Sequence, residues 1–550
     1  MPTPALVLGP LLRFTSTTEA TLWVEVDRPC TVEVLGRSAP TFTVEDHHYA
    51  LVVLTGLTPA SEYPYEVHLD GERVWPLADS PYPPSVIRTL DEGAPFTLAF
   101  GSCRVTVPHE PPWTLPVDEH EDGFDHDALR VLAHEMAYGD RENWPEYLLL
   151  LGDQVYVDVG APETQAFLAG RRGEDDRPED EIVDYEEYAR LYHESWSDPL
   201  LRWLFSTVSV GMIWDDHDMG DDWNISRAWA DEMEATDWWP VRRRAGFITY
   251  WIHQHLGNLS IEELDADATW CRVRDGGEVT AVLDDLVVAA GATGDGVRWS
   301  HARDLGGTRL VVIETRAGRV LEPGERRMVD PDTWDWVAER LRGDCDHLVI
   351  ATTDPWLLMP ALHDLEAWSE RVCDGAWGRW WARRGEALRR ELDFDHWASF
   401  GRSFADLAEL VRATACGERG RAPTTITVLS GDVHHAYLAR VDLGPGAASA
   451  VHQAVCSPVR HPLERRERNV IRFTATPVAR AIGRLLRRIG GAPTPDLAWR
   501  VVDGPWFENQ VGTLRHDGSG AEVRLDKTVP GESEDDARRL ERVLTRTLSG

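Results

Sequence analysis

Residues 213–224 read IWDDHDMGDDWN and place Asp215, Asp216, Asp218, Asp221 and Asp222 within eight positions, directly after an apolar run. Carboxylates that close repel one another unless a positive charge sits among them or water screens them. The stretch is either a solvated acidic turn or part of a cation site. Three other segments end apolar runs in the same way: FGSCR at 100–104, LGDQVYVD at 151–158 and GDVHH at 431–435. A metal site needs deprotonated ligands on rigid elements, with an open position for substrate. Two neighbouring cations can clamp the attacking and leaving oxygens of a phosphoryl transfer, and one lowers the pKa of a bound water toward ~7. Ligands for such a pair come from separate strands, so each follows its own apolar run.

The elements that would position these residues fall into two regimes. Over residues 1–92, ATLWVEVD, TVEVLG, TFTVED and HHYALVVLTGL alternate apolar and polar residues between turns, which predicts a small β-sandwich. Within it, LTGLTPASEYPYEVHLDG resembles the corner and following strand of fibronectin type III domains, through Leu57, Pro59, Tyr63 and Tyr65. SPYPPSVIRTLDEGAP reads as a Pro-rich linker. Beyond it, FTLAFGSC, EYLLLLGD, VGMIWDD, TRLVVIET, DHLVIATTD and TITVLSGD are short, largely continuous apolar runs that end in small or acidic residues and alternate with helical stretches. Such strands are covered on both faces, as in α/β layers, and ligands bind beyond their carboxyl ends. The catalytic domain is expected over 93–530, with a β-containing insertion at about 254–308 that includes EVTAVLDDLVVAAG. VARAIGRLLRR (478–488) reads as a basic amphipathic helix packed on the domain with its arginines in solvent, membrane contact being the alternative. Residues 531–550 are expected as a C-terminal helix with Leu540, Val543, Leu544 and Leu548 on one face.

The order GSC, GDQVY, WDDHD, GDVHH resembles the alkaline phosphatase D (PhoD-like) family of calcineurin-like metallophosphoesterases, and the leading β-sandwich matches that family too. The resemblance implies a four-layer α/β/β/α catalytic domain hydrolysing phosphate mono- or diesters by attack of a metal-bound hydroxide. It implies iron (Fe3+) and calcium as cofactors, other divalent metals remaining open. Carried over by position, Cys103, Asp153, Tyr156 and His434 would serve the iron, with Asp153 bridging, while Asp216 and Asp432 would face calcium. His217 would assist the phosphoryl group or the leaving oxygen, and Arg104 would hold the substrate phosphate or a structural ion pair. Asp215 stays open between calcium ligand and capping residue. Thiolate and phenolate suit a trivalent transition metal, and carboxylates suit calcium. Two rival readings stand: a nucleotide or polyphosphate hydrolase on the same site, and a non-catalytic scaffold whose acidic strand ends hold structural calcium. The second has no use for the Cys103/Tyr156 pair.

The 550 residues carry 56 Lys+Arg against 93 Asp+Glu, a formal charge of -37. That argues against nucleic acid as a stable partner, because such binding rests on a basic surface. A small phosphate ester remains compatible, since bound cations reverse the local potential. No run approaches the roughly 18 apolar residues of a membrane span. The seven cysteines form no C-x-x-C pair, and no export signal is read at MPTPALVLGPLLRFTS, so a cytoplasmic location is expected.

Overall fold

The computed structural model describes residues 3–173, 178–529 and 539–549. Its N-terminal part is β-rich. Leu6–Thr15, Glu19–Val26, His47–Thr55 and Phe42–Val44 form one sheet, extended by Gly277–Glu278, and Thr31–Val34, Arg37–Pro40, Val67–Leu69 and Glu72–Trp75 form another. Alternation sorts the side chains. Leu22, Val24 and Val52 face the sandwich core, whereas Trp23, Tyr49 and Leu51 join the large core of the following domain. The expected linker is not free: Val86–Arg88 is a strand paired with Glu62–Pro64, and Ile87 is buried.

Two mixed sheets follow. One runs Ser209–Ile213, Tyr147–Leu151, Phe96–Gly101, Gln510–Asp517, Gly520–Val529, Arg539–Thr547. The other runs His301–Leu305, Thr308–Ile313, His347–Thr352, Thr425–Ser430, Ala450–Val455, Ala436–Asp442, Ala498–Trp506. In the strand His347–Thr352, Val349 and Ala351 point into the core shared with the first sheet. Leu348 and Ile350 point into the core beneath the helices Pro331–Arg340 and Gly401–Ala415. The continuous apolar runs are thus explained by burial on both faces. The parallel strands of both sheets end at the same place, and their carboxyl ends deliver the four motifs.

Two expectations about elements are corrected, and a third, the basic helix packed on the domain with most of its arginines in solvent, holds with one addition. EVTAVLDDLVVAAG is the helix Thr280–Ala290, burying Leu283, Leu286 and Ala290 at helical spacing. Arg539–Thr547, expected as helix, is a strand paired antiparallel with Gly520–Val529; residues 530–538 lie outside the described residues. The apolar stripe of Pro477–Gly490 faces outward, and Ala479, Gly483, Arg487 and Gly490 face the protein.

Candidate metal centre

Three of the four motifs leave their strands through a tight backbone reversal, and WDDHD leaves through a short 3-10 turn. Cys103, Asp153, Asp432 and His434 all have positive φ, at 58°, 54°, 64° and 49°. Non-glycine residues rarely adopt this conformation, and it concentrates where function holds a side chain in place. The glycine of each GD pair has a steric reason. A Cβ on Gly152 would stand 2.5 Å from Cβ of Asp215, and one on Gly431 would stand 2.0 Å from Oγ of Ser102. The loops therefore touch one another directly behind the site.

These reversals bring together side chains from distant parts of the chain. Ligand atoms of Cys103, Asp153 and His434 lie within 4.8 Å of one another, as do those of Asp153, Asp216 and His217. Asp153 belongs to both groups, the position expected of a bridging carboxylate. The Tyr156 hydroxyl donates to Asp153 Oδ2 at 3.1 Å, and its ring stacks on His217 with centroids 4.5 Å apart. Ser457 Oγ donates to Cys103 Sγ at 3.1 Å, and Ser102 Oγ stands equally close. Asp218 staples two motifs: its Oδ2 accepts from the backbone N–H of Asp153 (3.0 Å) and of Asp215 (2.9 Å).

A cation fits this donor set. Asp153 Oδ1 is buried without a hydrogen-bond partner, and so is Asp215 Oδ2; burial without a partner is costly. Burial, with Asp216, Asp218 and Asp432 adding to it against His217, holds the Asp153 carboxyl well above its ordinary range. Burial, then Asp153 and Asp432, pushes up the Cys103 thiol. Burial, then Asp153 and Cys103, pushes up the Tyr156 phenol. Anions crowded in this way ionise together only beside a strong positive charge. Sulfur, phenol, carboxylate and imidazole around one point suit a transition metal, and the carboxylates beside them suit a hard cation.

A third acidic group, Asp215, Asp354 and Asp432, encloses an arginine. The buried Arg316 guanidinium pairs with Asp215 and Asp395, and reaches Asp354 and Asp432 at 3.3 Å and Asp216 at 3.5 Å. Asp215 thus spends one oxygen on Arg316, which inclines it toward the structural of its two expected roles. Arg104, expected on the substrate phosphate or in a structural ion pair, makes the ion pair. It is buried, with Nε on Asp127 Oδ2 at 2.8 Å and Nη1 on Ser195, so its charge is used inside the fold and does not reach a phosphate. Of the remaining acids, Asp221 donates its backbone N–H to Asp158, and Asp222 donates its own to Asp216.

Several residues of the site escaped the sequence reading. Asp158 lies 2.8 Å from His217 Nδ1. His461 Nδ1 stands 3.3 Å from the Tyr156 hydroxyl, and its ring lies 4.3 Å from that of His434. His396 joins Asp432 (3.0 Å) to Glu366 (2.8 Å). A signal existed for His461 and Ser457: the run AVHQAVCS ends in polar residues like the other strands. His396 follows no strand, and nothing local marked it.

The fold is that of the metallophosphoesterases. Residues 132–284 match the PhoD-like phosphatase family model, and residues 3–87 match a domain of unknown function (DUF7800). A solved structure of PhoD is similar over 100% of this chain and 91% of its own, with a TM-score of 0.58 and 12% identity. Purple acid phosphatase PPD1 from yellow lupin (Lupinus luteus) seeds is similar over 100% of this chain and 74% of its own, with a TM-score of 0.50 and 10% identity. No curated protein sequence matches the chain. The family match over 132–284, with these structural neighbours, supports a phosphoric ester hydrolase that uses metal. The family segment contains Asp153, Tyr156, Asp216 and His217; Cys103, Asp432 and His434 lie outside it and reach the site through the fold.

Proposed function

We propose that this protein hydrolyses phosphate mono- and diesters, with iron held by Cys103, Asp153, Tyr156 and His434 and calcium held by Asp153, Asp216 and Asp432. The observation that carries the reading is the convergence of a thiol, a carboxylate and an imidazole within 4.8 Å, beside a phenol that calcium binding does not need. When bound, the ions supply Lewis acidity toward the phosphoryl oxygens and toward water.

The chain's own residues supply the rest. Burial would discharge His217, but Asp158 and Asp216 outweigh it and hold the imidazolium well above its ordinary range. With Nδ1 occupied by Asp158, Nε2 is the nitrogen that carries a proton to the leaving oxygen. Tyr156 stacked on one face of the ring fixes its plane. Asp218 keeps the GDQVY and WDDHD loops in register, and Arg316 neutralises the acids behind Asp216 and Asp432. The two Ser hydroxyls at Cys103 Sγ favour its thiolate, the form a metal binds.

Elemental analysis of the purified protein, paired with its visible spectrum and with activity on p-nitrophenyl phosphate and bis(p-nitrophenyl) phosphate before and after chelation, tests this reading. Iron, calcium and a tyrosinate charge-transfer band are expected, and Cys103→Ser is expected to lose iron and colour together. A colourless, iron-free and fully active preparation sinks the iron assignment. Activity that survives exhaustive chelation sinks the metal mechanism.

A further inference from the structure

The helices Arg465–Thr474 and Pro477–Gly490 carry eight arginines (Arg465, Arg466, Arg468, Arg472, Arg480, Arg484, Arg487, Arg488) and one acid, Glu467, in a chain whose formal charge is -37. Among the described residues, only Arg468 and Arg487 of these make ion pairs, with Asp118 and Asp364. The second helix is mounted with its apolar side outward. Its inner face is built of small residues: a Cβ on Gly483 would stand 2.9 Å from the Ala361 carbonyl oxygen, and one on Gly490 would stand 2.6 Å from the Trp368 ring. Its outer face carries Val478, Ile482, Leu485 and Ile489 at helical spacing, exposed by 62%, 48%, 60% and 53%. Arg480, Arg484 and Arg488 run beside that stripe as a second row.

The patch continues beyond this helix. Val470 and Phe473 are exposed on the preceding helix. At the other end, Trp377 Nε1 donates to the Ile489 carbonyl, and Trp377 packs edge-on against Trp381, itself against Trp380. Both Trp380 and Trp381 are exposed. Of the fourteen large exposed hydrophobic residues among those described, eight lie in this one region. A folded domain seldom leaves a contiguous apolar face in water without a partner.

We infer that this face docks the protein on an anionic lipid bilayer. An apolar stripe flanked by arginines, with tryptophans at its end, is what an interfacial helix presents to headgroups and acyl chains. Charge selects the partner. A second copy would bring eight arginines against eight, whereas a leaflet of acidic phospholipid supplies the missing negative charge, and clusters of this size are those that bind it. Docking would also set the phosphatase centre beside the bilayer. The first helix begins four residues after His461, and Arg472 lies over Phe507, whose ring is 5.9 Å from that of His435.

Vesicle flotation of the full metal-loaded chain tests this. Binding to phosphatidylcholine vesicles containing phosphatidylserine is expected to exceed binding to phosphatidylcholine alone by at least about tenfold, and to fall as salt is raised. Leu485→Glu and the double variant Arg480→Glu/Arg484→Glu are each expected to lose about tenfold in vesicle binding while keeping activity on soluble p-nitrophenyl phosphate, which shows that they fold. Equal binding to neutral and acidic vesicles, or none to either, overturns the inference. So does a dimer in solution that Leu485→Glu dissociates without any vesicle binding, which would assign the face to a second copy.

Discussion

At the residue scale, the site depends on pairs in which one member holds the other. His217 is the proposed proton donor, and Asp158 fixes which nitrogen it offers. Burial raises Asp158, yet the His217 charge and hydrogen bond keep it below the ordinary carboxylate range, so the pair is an ion pair. Asp158→Asn keeps the shape and removes the charge. Its kcat is expected to fall by about ten- to a hundredfold with KM little changed, because the lost interaction belongs to proton transfer. The loss should be larger for an alkyl phosphate than for p-nitrophenyl phosphate, whose leaving oxygen needs little protonation. Equal losses on both esters would reduce Asp158 to a packing role. The sequence showed Asp158 inside LGDQVYVD but gave no reason to single it out, since only the folded loop sets it against a ring 59 residues away.

At the element scale, strand ends define the centre because a parallel strand stops where its carbonyls run out of partners and the chain must turn. The GD pairs accomplish that turn, and their glycines leave no room for a methyl group. Gly152→Ala and Gly431→Ala are each expected to cost about 2–4 kcal/mol through overpacking and, at Gly152, its positive φ as well. Both variants should also bind less metal than the parent protein, measured by thermal melts alongside elemental analysis. Gly518→Ala is the control, since it shares a positive φ but its Cβ meets nothing within 4 Å; it should lose stability without losing metal.

At the scale of the whole molecule, the β-rich domain and the catalytic domain share one core, so they are coupled by more than a linker. Arg13 is fully buried and donates to the carbonyls of Val210, His253 and Gln254, across the boundary. His47 makes a second tie, with Nδ1 2.9 Å from Glu25 and Nε2 2.9 Å from Glu186 on the helix Tyr185–Trp196. Burial lowers its pKa, but the two carboxylates win and push it up to about 9. A raised folded pKa means stability that is fully present below the unfolded value of about 6.5 and lost as pH climbs through about 9. Glu186 is half exposed, so screening limits the contribution to about 1–2 kcal/mol. His47→Gln is therefore expected to melt several degrees below the parent at pH 6 and nearly level with it at pH 10. A gap that stays constant across that range would show that the tie is packing and not charge.

Local composition determined the α/β layering and marked the strand ends that carry Cys103, Asp153, Tyr156, Asp216, Asp432 and His434, because each stands within a few residues of an apolar strand; the ligand roles proposed for them came from the family resemblance. Tertiary structure alone decided that Arg316 occupies the third acidic group, that His396 joins the centre, which partners Ser457 and His461 meet there, and which of its two expected roles Arg104 takes. Those contacts join residues up to 354 positions apart, a distance no local pattern spans. The same holds for Arg539–Thr547, where a ladder to the neighbouring strand overrode a helical spacing of leucines. It holds as well for Pro477–Gly490. Periodicity shows that a helix has two faces, but which of them is covered depends on the neighbour it meets.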